Sequence, residues 1–214
     1  MEKEAQGGML KIVGIAAVIL LMGCGGVLVI GGGSIGRWYY LQKQEEAARA
    51  AALAAEEARL AEEAARAQMM AEQLSSAQRF YDAGQYEAAL VILEQILDKT
   101  PDKSEAWLLH GRTYVRLHDN SRAISDFSRV ITLHPDATDA LDYRAFCYIQ
   151  EHMYADALSD IDKILAIDPN NGRAWKLNAD CHFFLGDMQK AREAAKRSCD
   201  LGYADGCDIQ KRMH

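Results

Sequence analysis

Proline is scarce in this chain: 214 residues contain three, Pro101, Pro135 and Pro169. Ionisable side chains are missing from Ile12 to Ile35 apart from Cys24, and glycine and proline are both missing from Gln42 to Gln73. The first gap excludes an ordinary solvated segment, and the second excludes a turn. An excess of positive charge is missing too. The formal net charge is −7, and phosphate recognition needs clustered Lys and Arg, so nucleic acid is not an expected partner. There is no Ser/His/Asp or Cys/His constellation, no glycine loop between strand and helix, no pair of acids set for a pocket and no set of four ligands at zinc spacing. These absences argue against an enzyme, a cofactor and a metal site. Histidines 110, 118, 134, 152 and 182 are scattered over expected turns and helix faces.

What is present has a period. The three prolines are evenly spaced, and between the first two run Trp107, His110, Gly111, Tyr114, Ala123, Phe127 and Val130. At the same offsets lie Leu141, Ala145, Tyr148, Ala157, Ile161, Ile164 and Pro169, and before them Ala77, Phe80, Ala89, Leu93, Ile96 and Pro101. A fourth unit opens with Trp175, Ala179, His182 and Ala191, then drifts to Ala195, Ser198 and Tyr203. This resembles the tetratricopeptide repeat family, in spacing and in residue types, over about the last two thirds of the chain, with His110 in the place of the usual leucine. The alternation of small and large residues suits two antiparallel helices in close approach, and each pair leaves an apolar face for the next to cover. Prolines just past the second helix of a unit stop it, and Asp102 with Glu105, and Asp136 with Asp139, are expected N-terminal caps and dipole partners of the helices that follow.

The expected fold is therefore all-α: an N-terminal transmembrane helix, a long helical stalk, then an α-solenoid of about four helix pairs with a C-terminal capping helix. The boundaries are a polar tail over 1–11, an anchor over 12–36, a stalk over 37–74 and a repeat domain over 75–214. Its units span about 75–101, 104–135, 138–169 and 172–203, with the cap at 204–214. A helix over the apolar run is long enough to cross about 30 Å of hydrocarbon. Arg37, Trp38, Tyr39 and Tyr40 follow it, as at a membrane interface. A cleaved signal peptide has a shorter apolar core. Leu21-Met22-Gly23-Cys24 looks like a bacterial lipoprotein signal in which Cys24 is the lipidated residue, although Met22 and the apolar run Val27 to Ile30 depart from that pattern. Gly32 and Gly36 make one GxxxG. In the stalk, Glu45/Arg49, Arg59/Glu63 and Glu62/Arg66 are i,i+4 pairs, and Leu53, Leu60 and Leu74 fall at multiples of seven. That pattern points to a charged helix with a weak tendency to pair with another copy.

In the resembled family the first helices of successive units line a concave groove that binds peptides. Carried over by position, the groove shows Leu74, Gln78 and Tyr81, then Glu105, Leu108, Arg112 and Arg116. The third unit supplies Asp142, Phe146 and Ile149, and the fourth Arg173, Lys176, Asp180, Phe183 and Phe184. Members that grip a C-terminal carboxylate use a Lys/Asn set whose places here hold Leu74, Gln78, Tyr143, Arg173 and Leu177, so that clamp is absent. Cys199 and Cys207, within CDLGYADGC, resemble the closing segment of cysteine-rich Sel1-like repeat proteins, where such a pair forms a disulfide across a helical hairpin and implies an oxidising compartment. Cys147 and Cys181 occupy equal places in two units and read as buried hydrophobes.

Together these features lead to the expectation of a non-enzymatic adaptor or scaffold for peptide segments of other proteins. Its expected place is a single-pass protein of the bacterial inner membrane with the repeats in the periplasm. A cytoplasmic repeat domain and a lipoprotein remain alternatives. A second functional expectation is a structural spacer that self-associates through span and stalk within an envelope assembly.

Overall fold

The computed structural model describes residues 34–212. Among these, nine helices follow one another: α1 (Ser34–Asp82), α2 (Tyr86–Lys99), α3 (Ser104–Arg116), α4 (Asn120–Leu133), α5 (Thr138–Gln150), α6 (Tyr154–Ile167), α7 (Gly172–Phe184), α8 (Met188–Asp200) and α9 (Ala204–Arg212). The chain divides into two compact units, one ending at Glu63 and one beginning at Ala64.

The expected membrane span is corrected here. No helix among the described residues is long and apolar enough to cross a membrane. Residues 12–33 of that expectation, with Cys24 and the Gly32 end of the GxxxG, lie outside the described residues, and Ser34 to Gly36 open the charged helix α1. The placement as a single-pass inner-membrane protein, which needed the span, is withdrawn with it. In the first unit α1 has no apolar face: Leu53 and Leu60 are 67% and 52% exposed. Its surface carries short-range ion pairs instead, Glu56–Arg59 at 2.7 Å and the expected Arg59–Glu63 at 3.9 Å. Such exposed pairs are worth about 0.3–0.5 kcal/mol each.

In the second unit the end of α1 pairs with α2 through Ala77, Ala89 and Leu93, all fully buried. The pairs α3/α4, α5/α6 and α7/α8 repeat that packing, and α9 closes on α8 and α7. First helices approach first helices closely, α3 with α5 and α5 with α7, whereas among the described residues no two second helices come as close backbone to backbone. The stack therefore curves with its first helices inside.

Volume is matched across each pair. The small residues Ala77, Gly111, Ala145 and Ala179 face Leu93, Phe127, Ile161 and Ala195, and the smallest meets the largest: a Cβ on Gly111 would lie 2.8 Å from Phe127 Cε1. Trp107 and Trp175, two repeats apart, each donate an indole N–H to the carbonyl of the proline before the helix, Pro101 at 2.8 Å and Pro169 at 2.9 Å. The residues before the prolines, Thr100, His134 and Asp168, leave the helical region, with ψ of 76°, 90° and 93°, because proline disfavours helical backbone at the preceding residue. The cap expectation shifts by one residue. Lys103 and Ala137, not Asp102 and Asp136, stand at the N-caps of α3 and α5, with no side-chain cap. Side-chain caps come instead from Asp119, Asn171 and Asp187.

The turn inside each pair requires left-handed backbone once, and the requirement recurs at the same place in every repeat: Gly84 (φ 73°), His118 (φ 58°), His152 (φ 61°) and Gly186 (φ 82°). A side chain in that region costs about 1–2 kcal/mol. His118 is exposed, so His118→Gly is expected to raise stability by up to about 1 kcal/mol once glycine's greater freedom in the unfolded chain is subtracted. Urea denaturation reads it, and a loss of stability would contradict this account of the turn.

At the C-terminal end Cys199 and Cys207 are joined as a disulfide between α8 and α9, with Cα atoms 4.5 Å apart. Ser198 Oγ donates to the Gly172 carbonyl at 2.7 Å, and Gly206 packs where any Cβ would meet Ser198. Cys147 and Cys181 are fully buried, and burial pushes both thiols up to about 12. Neither is a thiolate at neutral pH, in keeping with their reading as small core residues.

Candidate functional site: the concave face

The inner face is built from the end of α1 and from α3, α5 and α7. Helical spacing puts Tyr81, Arg112, Tyr143 and Arg173 side by side across these helices. The Arg112 guanidinium lies over two rings, 5.0 Å from the centroid of Tyr81 and 5.6 Å from that of Tyr143. Tyr143 is held from behind by a stacked contact with Phe127, centroids 5.5 Å apart. Arg112 makes no ion pair among the described residues, and its Nε is buried without a hydrogen-bond partner. One turn on, Arg116 is exposed, donates to the Tyr86 hydroxyl at 2.9 Å and lies over the Tyr86 ring, which in turn meets Tyr81 edge-on. That hydrogen bond to Tyr86 pushes the Arg116 guanidinium above its usual value. Arg116, too, has no acidic partner among the described residues.

The other charges of this face are spent inside the chain. Arg173 pairs with Asp142 at 2.7 Å, and Lys176 with Asp180 at 2.6 Å. Burial pushes the Asp142 carboxyl up, with Arg173 pulling against it. Glu105 is exposed and pairs with Lys103 at 3.2 Å. Gln78 donates to Asp82 at 2.8 Å. Leu74, Leu108 and Phe146 are half-buried against the core. Ile149 is 7% exposed and belongs to the core cluster of α5–α7, so it offers no contact surface. Phe183 and Phe184 are 46% and 56% exposed, and Phe184 stacks on Tyr154. Tyr154 with Phe184 repeats the placement of Tyr86 with Arg116: each joins the first residue of a second helix to the last residue of the next first helix. Between them, Tyr86, Val115, Arg116, His118, Phe146 and Gln150 line a cavity of about 480 Å³.

Two contributors to this face, Tyr86 and Tyr143, are not among the groove positions carried over from the family. Tyr143 takes the place that Leu109 and Leu177 hold in neighbouring units, so an aromatic at a leucine position is the available signal. The remaining buried charges lie between the helices of a pair. His110 Nδ1 is 2.8 Å from Asp126 Oδ2. At the next repeat Arg144 grips Asp160 through Nε and Nη2 at 2.7 and 2.8 Å. Burial pushes the Asp126 carboxyl up, and His110 opposes it. No group of His, Cys, Asp and Glu among the described residues is placed to hold a metal ion.

The tetratricopeptide repeat profile matches residues 80–145 and 148–198, more than half of the chain. No curated protein matches it. Solved structures with the same fold include MamA of Desulfovibrio magneticus RS-1 from residue 41 onward, 21% identical with a TM-score of 0.59, covering 67% of this chain and 88% of that one. A tetratricopeptide repeat protein of Parabacteroides merdae is 20% identical with a TM-score of 0.60, covering 66% and 59%. A thermophilic one of Thermus thermophilus is 18% identical with a TM-score of 0.57, covering 67% and 80%. At these identities the likeness speaks for the fold alone, whereas the profile, matched over two stretches of the stacked helix pairs described above, shows that the chain belongs to the tetratricopeptide repeat family.

Proposed function

We propose that the chain is a non-enzymatic interaction module whose concave face holds a peptide segment of a partner protein, with an acidic residue of that segment on Arg112. The observation that carries this reading is the Arg112 site: a guanidinium fixed between two tyrosine rings, with no acid of its own among the described residues. A cation held by aromatic faces loses little side-chain freedom when a carboxylate arrives, so most of the pairing energy is available for binding. Arg116 adds a second unpaired charge one turn away, and Tyr81, Leu108 and Phe146 supply apolar surface beside them. Stacked helical repeats generally present extended concave surfaces of this kind to other proteins.

The double reversal R112E/R116E is expected to weaken partner capture by about 10–100-fold, as loss of close charge pairs does. Stability should change by about 1–2 kcal/mol, because what is lost is the ring contacts of both guanidinium groups and the exposed hydrogen bond from Arg116 to Tyr86. The check is quantitative affinity capture against urea denaturation of the same variants. Equal loss of both would count against the reading. A second reading, self-association through α1, is favoured by the exposed Leu53 and Leu60 at a spacing of seven. Sedimentation of the full chain against L53E/L60E tests it, and a monomer in both cases would remove it.

A further inference from the structure

The repeat allows one cleft to be compared with its equivalent in the next unit. In the third unit the Asp160 carboxylate on α6 sits in the fork of Arg144 from α5, with Lys163 Nζ at 3.6 Å. In the fourth unit the two donor places are held by Asn178 on α7 and Arg197 on α8, but the place of the acid is held by Ala194. The flanking acids Asp156 and Asp162 become Lys190 and Lys196 at the same offsets. Three acids are thus lost and two cations gained around one spot, while Glu193 and Asp200 are added beside it.

The consequence is an open cleft of about 550 Å³ between α7 and α8, with Trp175, Asn178, His182, Lys190, Ala194 and Arg197 among its lining. Asn178 is nine-tenths buried, and its amide makes no hydrogen bond among the described residues. The Arg197 guanidinium is held 5.1 Å from the centroid of the Trp175 ring and makes no ion pair among the described residues. Trp175 is itself fixed by its bond to the Pro169 carbonyl. Lys190 is engaged by Asp187 at 3.1 Å. Donors are therefore in place where a carboxylate belongs, and the carboxylate is not.

We propose that this cleft is a second binding site, outside the concave face, that takes an aspartate or glutamate side chain presented by a partner protein. The incoming carboxylate stands where Asp160 stands in the third unit, accepting from the Asn178 amide and pairing with Arg197. Glu193 and Asp200 bias the cleft toward a singly charged ligand: they offset Lys196 and Arg197, and Lys190 is already paired with Asp187, so repulsion disfavours a dianion such as phosphate more than a single carboxylate.

The test is an NMR titration of the ¹⁵N-labelled full chain with hexaglutamate, read at the Trp175 indole N–H, with Trp38 and Trp107 as internal references. Hexaglutamine and inorganic phosphate at equal ionic strength are the controls. The expected result is a saturable shift of the Trp175 signal with hexaglutamate alone. It should weaken several-fold, by about 3–5-fold, in A194D, which returns an acid to the cleft, and in R197Q, which removes the exposed cation. Arg197 is exposed, so R197Q keeps the test valid should A194D fold poorly. R112E should leave the shift unchanged, which separates this site from the concave face. No saturable shift, a shift that survives both substitutions, or an equal response to phosphate would overturn the proposal.

Discussion

Replacing Arg144 with methionine is expected to cost about 3–5 kcal/mol of folding stability, because it strands a buried carboxylate. The Asp160 side chain is 2% exposed, and Arg144 satisfies both of its oxygens while also donating to Ser128 Oγ at 2.8 Å. Lys163, half-exposed at 3.6 Å, is the remaining counter-charge and holds the loss toward the lower end of that range. Removing both members is a different experiment. R144M/D160L exchanges a desolvated ion pair for apolar volume and is expected to lie within about 1–2 kcal/mol of the parent chain, since buried pairs contribute little beyond what their own desolvation costs. Urea midpoints of the parent, both single variants and the double variant complete the cycle. A single R144M loss below about 1 kcal/mol would mean that Asp160 finds water, and that the pair does not hold α5 against α6.

The second large effect is at the tightest helix contact. Phe127→Ala is expected to cost about 3–5 kcal/mol, because a fully buried aromatic is replaced by a cavity. From the other side, Gly111→Ala forces a methyl to within 2.8 Å of the Phe127 ring. The overpacking costs about 1–3 kcal/mol, offset in part by the roughly 1 kcal/mol helix preference of alanine over glycine. The first unit shows the accommodation, pairing Ala77 with Leu93. The double variant Gly111→Ala/Phe127→Leu is therefore expected to recover most of the Gly111→Ala loss, by thermal unfolding. Additive losses would contradict volume matching across the pair.

The prolines, the small residues and their large partners are set by backbone and volume rules that recur in every repeat, so the family and the helix pairs were readable from spacing. The left-handed turn obeyed the same period, yet His118 and His152 looked like scattered histidines until Gly84 and Gly186 were set beside them. On the concave face, position in the repeat says nothing of which charges are already paired. Arg173 and Lys176 are neutralised by Asp142 and Asp180, and only side-chain geometry separates them from Arg112. Ile149 was drawn into the core because neighbouring helices close over it. The caps slipped by one residue because Lys103 and Ala137 continue the turn after each proline. The expected span is the largest correction: length and hydropathy alone suggested it, and no described helix is long and apolar enough to cross a membrane.

The proposed place of partners is the concave face at Arg112. Site-specific photo-cross-linking tests it most directly, with benzoylphenylalanine placed at Phe146 on that face or at Val91, which is 54% exposed on a second helix. The expected result is a discrete partner adduct from position 146 that disappears when R112E is added, with none from position 91. Adducts from position 91 alone, or adducts from position 146 that persist with R112E, would contradict it.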